Sequence, residues 1–214
     1  MLMVVVLAVL LVADVAARTV AERDMAARVK SATHASGTTG RISAFPFVWD
    51  VAVGGRVDEV RVVADNVPVG PIHLFQVAVD ARGIRLDRHD LLVDHTVVIT
   101  SISSAKLTLE IRANDLGTSI GPLGHVGISF PGGDTIAINL GTQVLTATVG
   151  VANGHDLVIT AAGRQLLSLD LASSPLIPPC QMALAPVSGG FDLSCQVSPV
   201  PSSLLQLLAR SRSS

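Results

Sequence analysis

The polar residues best placed for chemistry form one short cluster, Asp87-Arg88-His89-Asp90, which is followed closely by Asp94 and His95. Carboxylates and imidazoles at this spacing can bind a metal ion or act as an acid/base pair. However, opposite charges alternate within the cluster, and it lies between two predicted strands. This pattern is typical of a solvated hairpin loop, so we predict no metal ligand and no catalytic residue here.

The sequence also lacks the compact motifs that usually carry catalysis or nucleotide binding. It contains no Gly-x-Ser-x-Gly turn, no Gly-rich phosphate loop with Lys and no His-Glu-x-x-His. We therefore predict a protein that is not an enzyme and that needs no cofactor. The alternative is an enzyme of envelope lipid or glycan metabolism, which would have to use the carboxylates near Asp90.

The two cysteines, Cys180 and Cys195, lie in short apolar segments on either side of the turn Pro186-Val187-Ser188-Gly189-Gly190. Two strands joined by this turn would bring the thiols close together. In an oxidising compartment we expect them to form a structural disulfide. A redox or metal pair is the alternative, but it would favour Cys-x-x-Cys spacing or nearby His ligands.

Composition bounds the possible partners. The chain has 214 residues, of which 49% are hydrophobic and only 15% are charged, and its net charge is -2. One domain of this length can bury a sizeable core. The small net charge argues against nucleic acid as a partner and against a membrane surface held mainly by long-range attraction. Any bound lipid would be held through its chains.

The N-terminus is strongly apolar, because residues 1–12 include no polar side chain. This run is shorter than the roughly 20 residues of a membrane-spanning helix but matches the core of a signal peptide. We predict that residues 1–17 are a signal or anchor segment, with Val15-Ala16-Ala17 as a possible cleavage site. Location in the cell envelope follows, either secreted or membrane-anchored. The alternative is a buried core helix of a cytosolic protein.

The rest of the chain predicts an α+β fold. Residues 14–33 contain no Gly or Pro and favour a long helix. Later segments alternate apolar and polar residues, which predicts one-sided antiparallel strands in a curved meander. The predicted strands are residues 41–53, 57–64, 72–81, 95–102, 106–112, 136–140, 145–149, 157–160, 167–171 and 191–197.

Two short segments break this strand pattern. Residues 114–122 predict one helical turn that ends at Gly121-Pro122. Residues 202–214 predict a short apolar helix and a polar tail, with residues 18–201 as the main domain. The C-terminal helix either packs on that domain or contacts a membrane or partner.

An aromatic window, Phe45-Pro46-Phe47-Val48-Trp49, is the best candidate for binding an apolar ligand. Phe45, Phe47 and Trp49 either pack in the core or line a groove, and the apolar face of the strand at 106–112 supplies Leu107, Leu109 and Ile111. Three arginines bracket the window and could contact a phosphate headgroup, the alternative being ordinary exposed arginines. These are Arg41, Arg56 and Arg61.

The chain resembles the actinobacterial LmeA-like phospholipid-binding family. The resemblance rests on Arg41-Ile42-Ser43-Ala44-Phe45-Pro46-Phe47, on Gly54-Gly55 followed by Val57, Val60 and Val62, and on the late Pro178-Pro179-Cys180 and Leu193-Ser194-Cys195. It implies a tubular lipid-binding (TULIP-like) fold, in which a long N-terminal helix is held in a strongly bent half-barrel sheet.

The resemblance also implies a function. It implies a non-catalytic envelope protein that binds phospholipid acyl chains, with a role in mannan elongation of envelope lipoglycans, and it transfers no catalytic residue. The sequence departs from the family pattern at Val48-Trp49-Asp50. A structural or partner-binding envelope domain, whose apolar face is filled by its own side chains, is the alternative.

Overall fold

A computed structural model describes residues 2–69, 72–94, 96–117, 127–140, 142–171 and 180–201. The predicted C-terminal helix at 202–214 and His95 lie outside these residues. Within them the chain combines one long helix, three short helices and eleven strands. The predicted α+β class is confirmed.

Helix α1 (Leu2–Thr33) is longer than the predicted helix at 14–33. It starts earlier because the apolar residues before Asp14 contain neither Gly nor Pro, so nothing interrupts the helical hydrogen bonds. It ends where His34 adopts a positive φ of 54°. The helix crosses the proposed boundary between residues 17 and 18 without a break, and that boundary stays a prediction.

The first sheet contains six antiparallel strands in the order β1-β2-β3-β4-β11-β10. The sequence separation between β4 and β11 shows that the chain leaves this sheet and returns to it. The strands are β1 (Gly37–Ser43), β2 (Arg56–Val69), β3 (Ile72–Leu86), β4 (Ile99–Arg112), β10 (Ala183–Val187) and β11 (Gly190–Val197).

The second sheet is formed by the chain segment between β4 and β10, and its strands pair in chain order. Its strands are β5 (Gly127–Gly132), β6 (Thr135–Leu140), β7 (Gln143–Ala152), β8 (Asp156–Ala161) and β9 (Arg164–Asp170). The expectation of one continuous meander is therefore wrong, because β11 pairs with β4 instead of extending from β9. The half-barrel curvature stays a prediction.

Three short helices lie at the ends of strands: α2 (Phe47–Ala52), α3 (Arg88–Leu92) and α4 (Ala113–Gly117). The predicted strand at 41–53 is wrong beyond Ser43, because Pro46 cannot donate to a ladder and α2 begins directly after it. The predicted turn at 114–122 is confirmed as far as Gly117.

The core consists of two groups of buried side chains. The larger joins both sheets, and includes Leu109 and Leu193 from the first sheet with Ile136 and Leu157 from the second. The smaller gathers residues of β1, β2, β3 and β4, and Ala21 and Met25 of α1 pack against it. Helix α1 therefore packs on the first sheet, where the absence of a side chain at Gly40 of β1 permits close approach, because a Cβ there would lie 3.0 Å from the backbone oxygen of Glu22.

The predicted disulfide is confirmed. Cys180 and Cys195 are bonded, with their Cα atoms 6.0 Å apart and a sequence separation of 15. Cys195 lies on β11, whereas Cys180 precedes β10, so the bond joins the return segment to the first sheet.

Replacing both cysteines by Ser should lower the free energy of unfolding by about 3 kcal/mol, because a closed 15-residue loop restricts the unfolded chain by that amount. Urea unfolding of the oxidised wild type and the double variant measures this difference. Reductant should bring the wild type to the stability of the variant and leave the variant unchanged. Equal stability of the two oxidised proteins would contradict the prediction.

Candidate functional site

The aromatic window is held in place by a carboxylate from α1. Asp14 is only 6% exposed. Its Oδ2 accepts a hydrogen bond from the backbone N–H of Phe47 at 2.9 Å, and its Oδ1 accepts one from that of Val48 at 2.7 Å. These are the first two N–H groups of α2, which has no side-chain cap of its own because Pro46 occupies the capping position.

The three aromatic side chains of the window have different surroundings. Phe47 is partly buried and packs against the smaller core group. Phe45 and Trp49 point outward and are 67% and 63% exposed. The structure therefore separates one core residue from two surface residues, and lipid contact by any of them stays a prediction.

The outward residues belong to a larger exposed surface, which we call the apolar end. Helix α2 contacts both α1 and α3. Arg88 joins α3 to the end of α2 by donating from Nη1 to the carbonyl oxygen of Val53 at 3.2 Å. The apolar end comprises the exposed side chains of Leu10, Leu11, Val12, Val15, Phe45, Val48, Trp49, Val53, Leu92 and Val93.

A wide depression opens beside Phe45, where Arg18 of α1 comes near residues of β1, β2 and β3. It measures about 710 Å³ and is lined by Arg18, Ser43, Ala44, Phe45, Asp58, Glu59 and Arg82. Arg18 pairs with Glu22 at 3.4 Å, and Arg82 pairs with Glu59 at the same distance. The depression thus combines one exposed aromatic ring with two cations and two carboxylates, those of Asp58 and Glu59.

The structure brings together two of the three predicted headgroup arginines. Arg41 and Arg61 are directly opposite each other on β1 and β2, and both line a second depression of about 310 Å³. Arg61 also lies 3.6 Å from Asp80. Arg56 is separate, because it is at the start of β2 and pairs with the buried Asp50 of α2 at 3.5 Å.

The other predicted lipid contacts lie inside the molecule. Leu107, Leu109 and Ile111 face the interior in alternation along β4 and belong to the larger core group. Leu109 and Ile111 have no exposed area. These three residues do not line either depression, and their contact with lipid stays a prediction.

The charged cluster at residues 87–90 has a local structural role. Asp87 caps α3 by accepting hydrogen bonds from the backbone N–H groups of His89 and Asp90, at 2.8 and 3.3 Å. This capping accounts for the carboxylate of Asp87 without catalysis.

One group of possible metal ligands was not found from the sequence. His155, Asp156 and Asp170 offer ligand atoms within 4.8 Å of one another. The pairing of β8 with β9 places Asp156 opposite Asp170, although 14 residues separate them. The available signal was the adjacent pair His155-Asp156 one hairpin before Asp170. Exposed acidic groups often lie this close without a metal, and Asn153 already donates to Asp156 at 2.7 Å.

A carboxylate pair on the outer face of the first sheet was also missed. Asp192 of β11 lies opposite Glu110 of β4. Burial raises the pKa of Asp192, the charge of Glu110 raises it further, and Lys106 opposes the shift. Glu110 is engaged by Arg112, whose Nε lies 2.8 Å from its Oε1. The two carboxylates therefore differ, because Glu110 is paired with Arg112 whereas the pKa of Asp192 is raised.

No helix among the described residues has both the length and the hydropathy needed to cross a membrane.

The chain matches the model of a known protein family. A family model described as LmeA-like phospholipid-binding matches residues 12–213, nearly the whole chain. No curated protein and no solved structure matches significantly.

Replacing Asp14 by Ala should cost about 1–3 kcal/mol of stability, because two N–H groups of α2 lose their shared acceptor. The near-ultraviolet circular dichroism of Trp49, the single tryptophan of the chain, should weaken as α2 loses its anchor. Asp24→Ala is the matched control on the exposed side of α1, where the residue pairs with Arg28. An equal effect of the two substitutions would contradict the capping role.

The raised pKa of Asp192 predicts a pH dependence of stability. The folded protein binds the proton of the Asp192 carboxyl more tightly than the unfolded chain does. Protonation of Asp192 therefore stabilises the fold fully below the unfolded pKa of about 4, and this stabilisation is lost as pH rises through the folded pKa. The side chain in Asp192→Asn cannot ionise. The stability of this variant minus that of wild type should therefore increase from about pH 3 to about pH 7.

Urea unfolding midpoints at the two pH values measure this gain. Asp134→Asn, at an exposed turn of the second sheet, is the control. The same wild-type-to-variant difference at both pH values would show that the Asp192 carboxyl has no such effect.

Proposed function

Because this chain belongs to the LmeA-like phospholipid-binding family, we propose that it is a non-catalytic protein of the cell envelope that binds the acyl chains of a phospholipid. The match over residues 12–213 is the observation that carries this proposal. The bound lipid would support maturation of envelope lipids or lipoglycans, including mannan elongation. No cofactor and no nucleic acid is part of the proposal.

An extracytoplasmic location is supported by the disulfide between Cys180 and Cys195. Disulfides persist in oxidising compartments and are rare in the cytosol. The apolar stretch at the N-terminus of α1 adds a means of attachment to the membrane. Location outside the cytoplasm and attachment through the N-terminus therefore form one proposal.

Attachment by an uncleaved N-terminus is favoured over removal of a signal peptide. Cleavage after Ala17 would remove Asp14, whose carboxylate accepts two hydrogen bonds from α2. Backbone N–H groups that lose a buried acceptor destabilise the fold. We therefore propose that residues 1–17 stay attached and serve as the anchor.

The path of the acyl chain follows the seam between α1 and the first sheet. Phe45 lies at the open edge of this seam, beside Arg18 and Arg82, which can contact a phosphate. Phe47 lies deeper, in the smaller core group that Ala21 of α1 also joins. Burying an acyl chain is favourable by about 0.8 kcal/mol per methylene, so even a partly covered chain would be held.

Beyond this seam, the chain would have to displace core contacts to reach the apolar face of β4. Leu107, Leu109 and Ile111 supply that face. Arg41 and Arg61 provide a second cationic position on the outer side of the sheet. Arg56, which is paired with Asp50, would contact a headgroup only near α2.

The second candidate function is a structural or partner-binding domain without a ligand. The observation that favours it is the packing of Leu109 and Ile111, which are fully covered by the protein's own side chains. In this case the two sheets form a filled core, and only the surface would bind partners.

Lipid content separates the two candidates. The full chain is purified in mild detergent and analysed by native mass spectrometry, with phospholipid phosphorus measured in parallel. We expect one phospholipid per chain and an intact mass that includes residues 1–17. Phe45→Asp should lower the lipid content several-fold, because it places a charge where the acyl chain enters.

Val144→Asp is the matched control, since Val144 is equally exposed but lies on the second sheet. Purification of a folded wild-type chain without phospholipid would favour the structural candidate. Equal loss of lipid in both variants would show that Phe45 is not at the site.

A further inference from the structure

We infer that the apolar end is a docking surface for the phospholipid bilayer, and that Trp49 lies at the membrane interface when the protein is attached. The inference rests on the membrane attachment proposed above, and it adds a second contact that holds the domain against the bilayer. Binding of a single lipid in the seam does not require this contact.

The position of Asp14 sets the depth of α2 relative to the anchor. Asp14 is the first polar residue after the apolar run, so it marks where α1 would leave the bilayer. The same carboxylate holds the first two N–H groups of α2. Helix α2 is therefore fixed at the level at which the anchor meets water.

The apolar run extends from this level on the same side as α2. Leu10 and Leu11 precede Asp14 by four and three residues, so they project from the side of α1 that carries the carboxylate. Both are exposed. The backbone from Leu2 to Asp14 is about 18 Å long at the helical rise of 1.5 Å per residue, enough to enter one leaflet.

The side chains around α2 suit the boundary between headgroups and acyl chains. Trp49 and Phe45 are aromatic, and tryptophan is enriched at membrane interfaces. Leu92, the last residue of α3, and Val93, which follows it, continue the exposed apolar surface. Two carboxylates near α2 have partners: Asp50 is paired with Arg56, and Asp14 caps α2.

A bilayer fits this surface better than a protein partner does. A protein partner would have to cover α2, α3 and the apolar N-terminal part of α1 together. A bilayer covers all three with one apolar phase. Electrostatic attraction to anionic lipid should be weak here, because the carboxylates of Asp87, Asp90 and Asp94 lie close in sequence to Arg88 and offset its charge. The contact with the bilayer is therefore hydrophobic. Binding should therefore be similar on neutral and anionic vesicles and nearly independent of salt.

Trp49 is the single tryptophan and reports the contact directly. The full chain is reconstituted into phosphatidylcholine vesicles that carry a spin label near the carbonyl end of one acyl chain. We expect Trp49 to emit at a shorter wavelength than in denaturant, to be quenched by the label, and to be protected from aqueous iodide. The variant Trp49→Phe/Val144→Trp moves the reporter to the second sheet and should remain accessible to iodide.

A pair of substitutions on α3 tests the surface without touching the reporter or the seam. Leu92→Ser/Val93→Ser should lower the ratio of docked to undocked Trp49 by about tenfold or more, because two exposed apolar side chains no longer enter the bilayer. Val144→Ser/Leu166→Ser removes one exposed valine and one exposed leucine from the second sheet and should leave the ratio unchanged.

Phospholipid content, measured by native mass spectrometry on the same purified protein before reconstitution, separates this inference from the proposed function. Bound phospholipid with Trp49 still open to iodide in vesicles overturns the docking surface alone. Docked Trp49 without stoichiometric bound lipid supports docking and contradicts the lipid-binding proposal.

Two further results would overturn the docking surface. One is equal protection of Trp49 by dihexanoylphosphatidylcholine below its critical micelle concentration, which would place Trp49 in a single-lipid site. The other is protection that rises with protein concentration and not with spin-labelled lipid, which would assign the surface to a second protein chain.

Discussion

The carboxylate of Asp14 is the constraint on which the candidate site depends. A six-residue helix that begins after Pro46 has no side-chain cap, and it would be marginal on its own. Asp14 supplies the missing acceptor from a different helix, more than 30 residues earlier in the chain. Because the same residue ends the apolar run, one carboxylate couples the N-terminal segment to the aromatic surface.

The protein has two packed regions, one between the two sheets and one between the first sheet and α1. Where the second sheet packs on the first, side chains such as Leu109 and Ile136 are fully covered. Where α1 packs instead, the small side chain of Ala21 and the flexible side chain of Met25 form the contact. The proposed lipid path follows the second region, since displacing one helix with small contacts disturbs fewer packed atoms than separating two sheets.

The charged residues of the domain are arranged in local pairs and caps. Arg56 neutralises the buried Asp50, Arg112 engages Glu110, and Asp87 caps α3. Such pairs contribute little to long-range attraction, and the net charge of the chain is only -2. The proposed contacts with lipid and membrane are therefore chiefly apolar, and the proposed docking surface is the apolar end.

The sequence by itself determined the α+β class, the long helix, most strand positions, the disulfide and the family, because these depend on local periodicity, on residue type and on the order of elements. It did not determine that the strand at 41–53 stops at Ser43, since the cap for α2 comes from Asp14, which is distant in sequence. Nor did it show the division into two sheets, which the pairing of β11 with β4 decides. Only the tertiary structure could place Phe47 inside and Trp49 outside, because a helix and a strand expose different faces of the same residues.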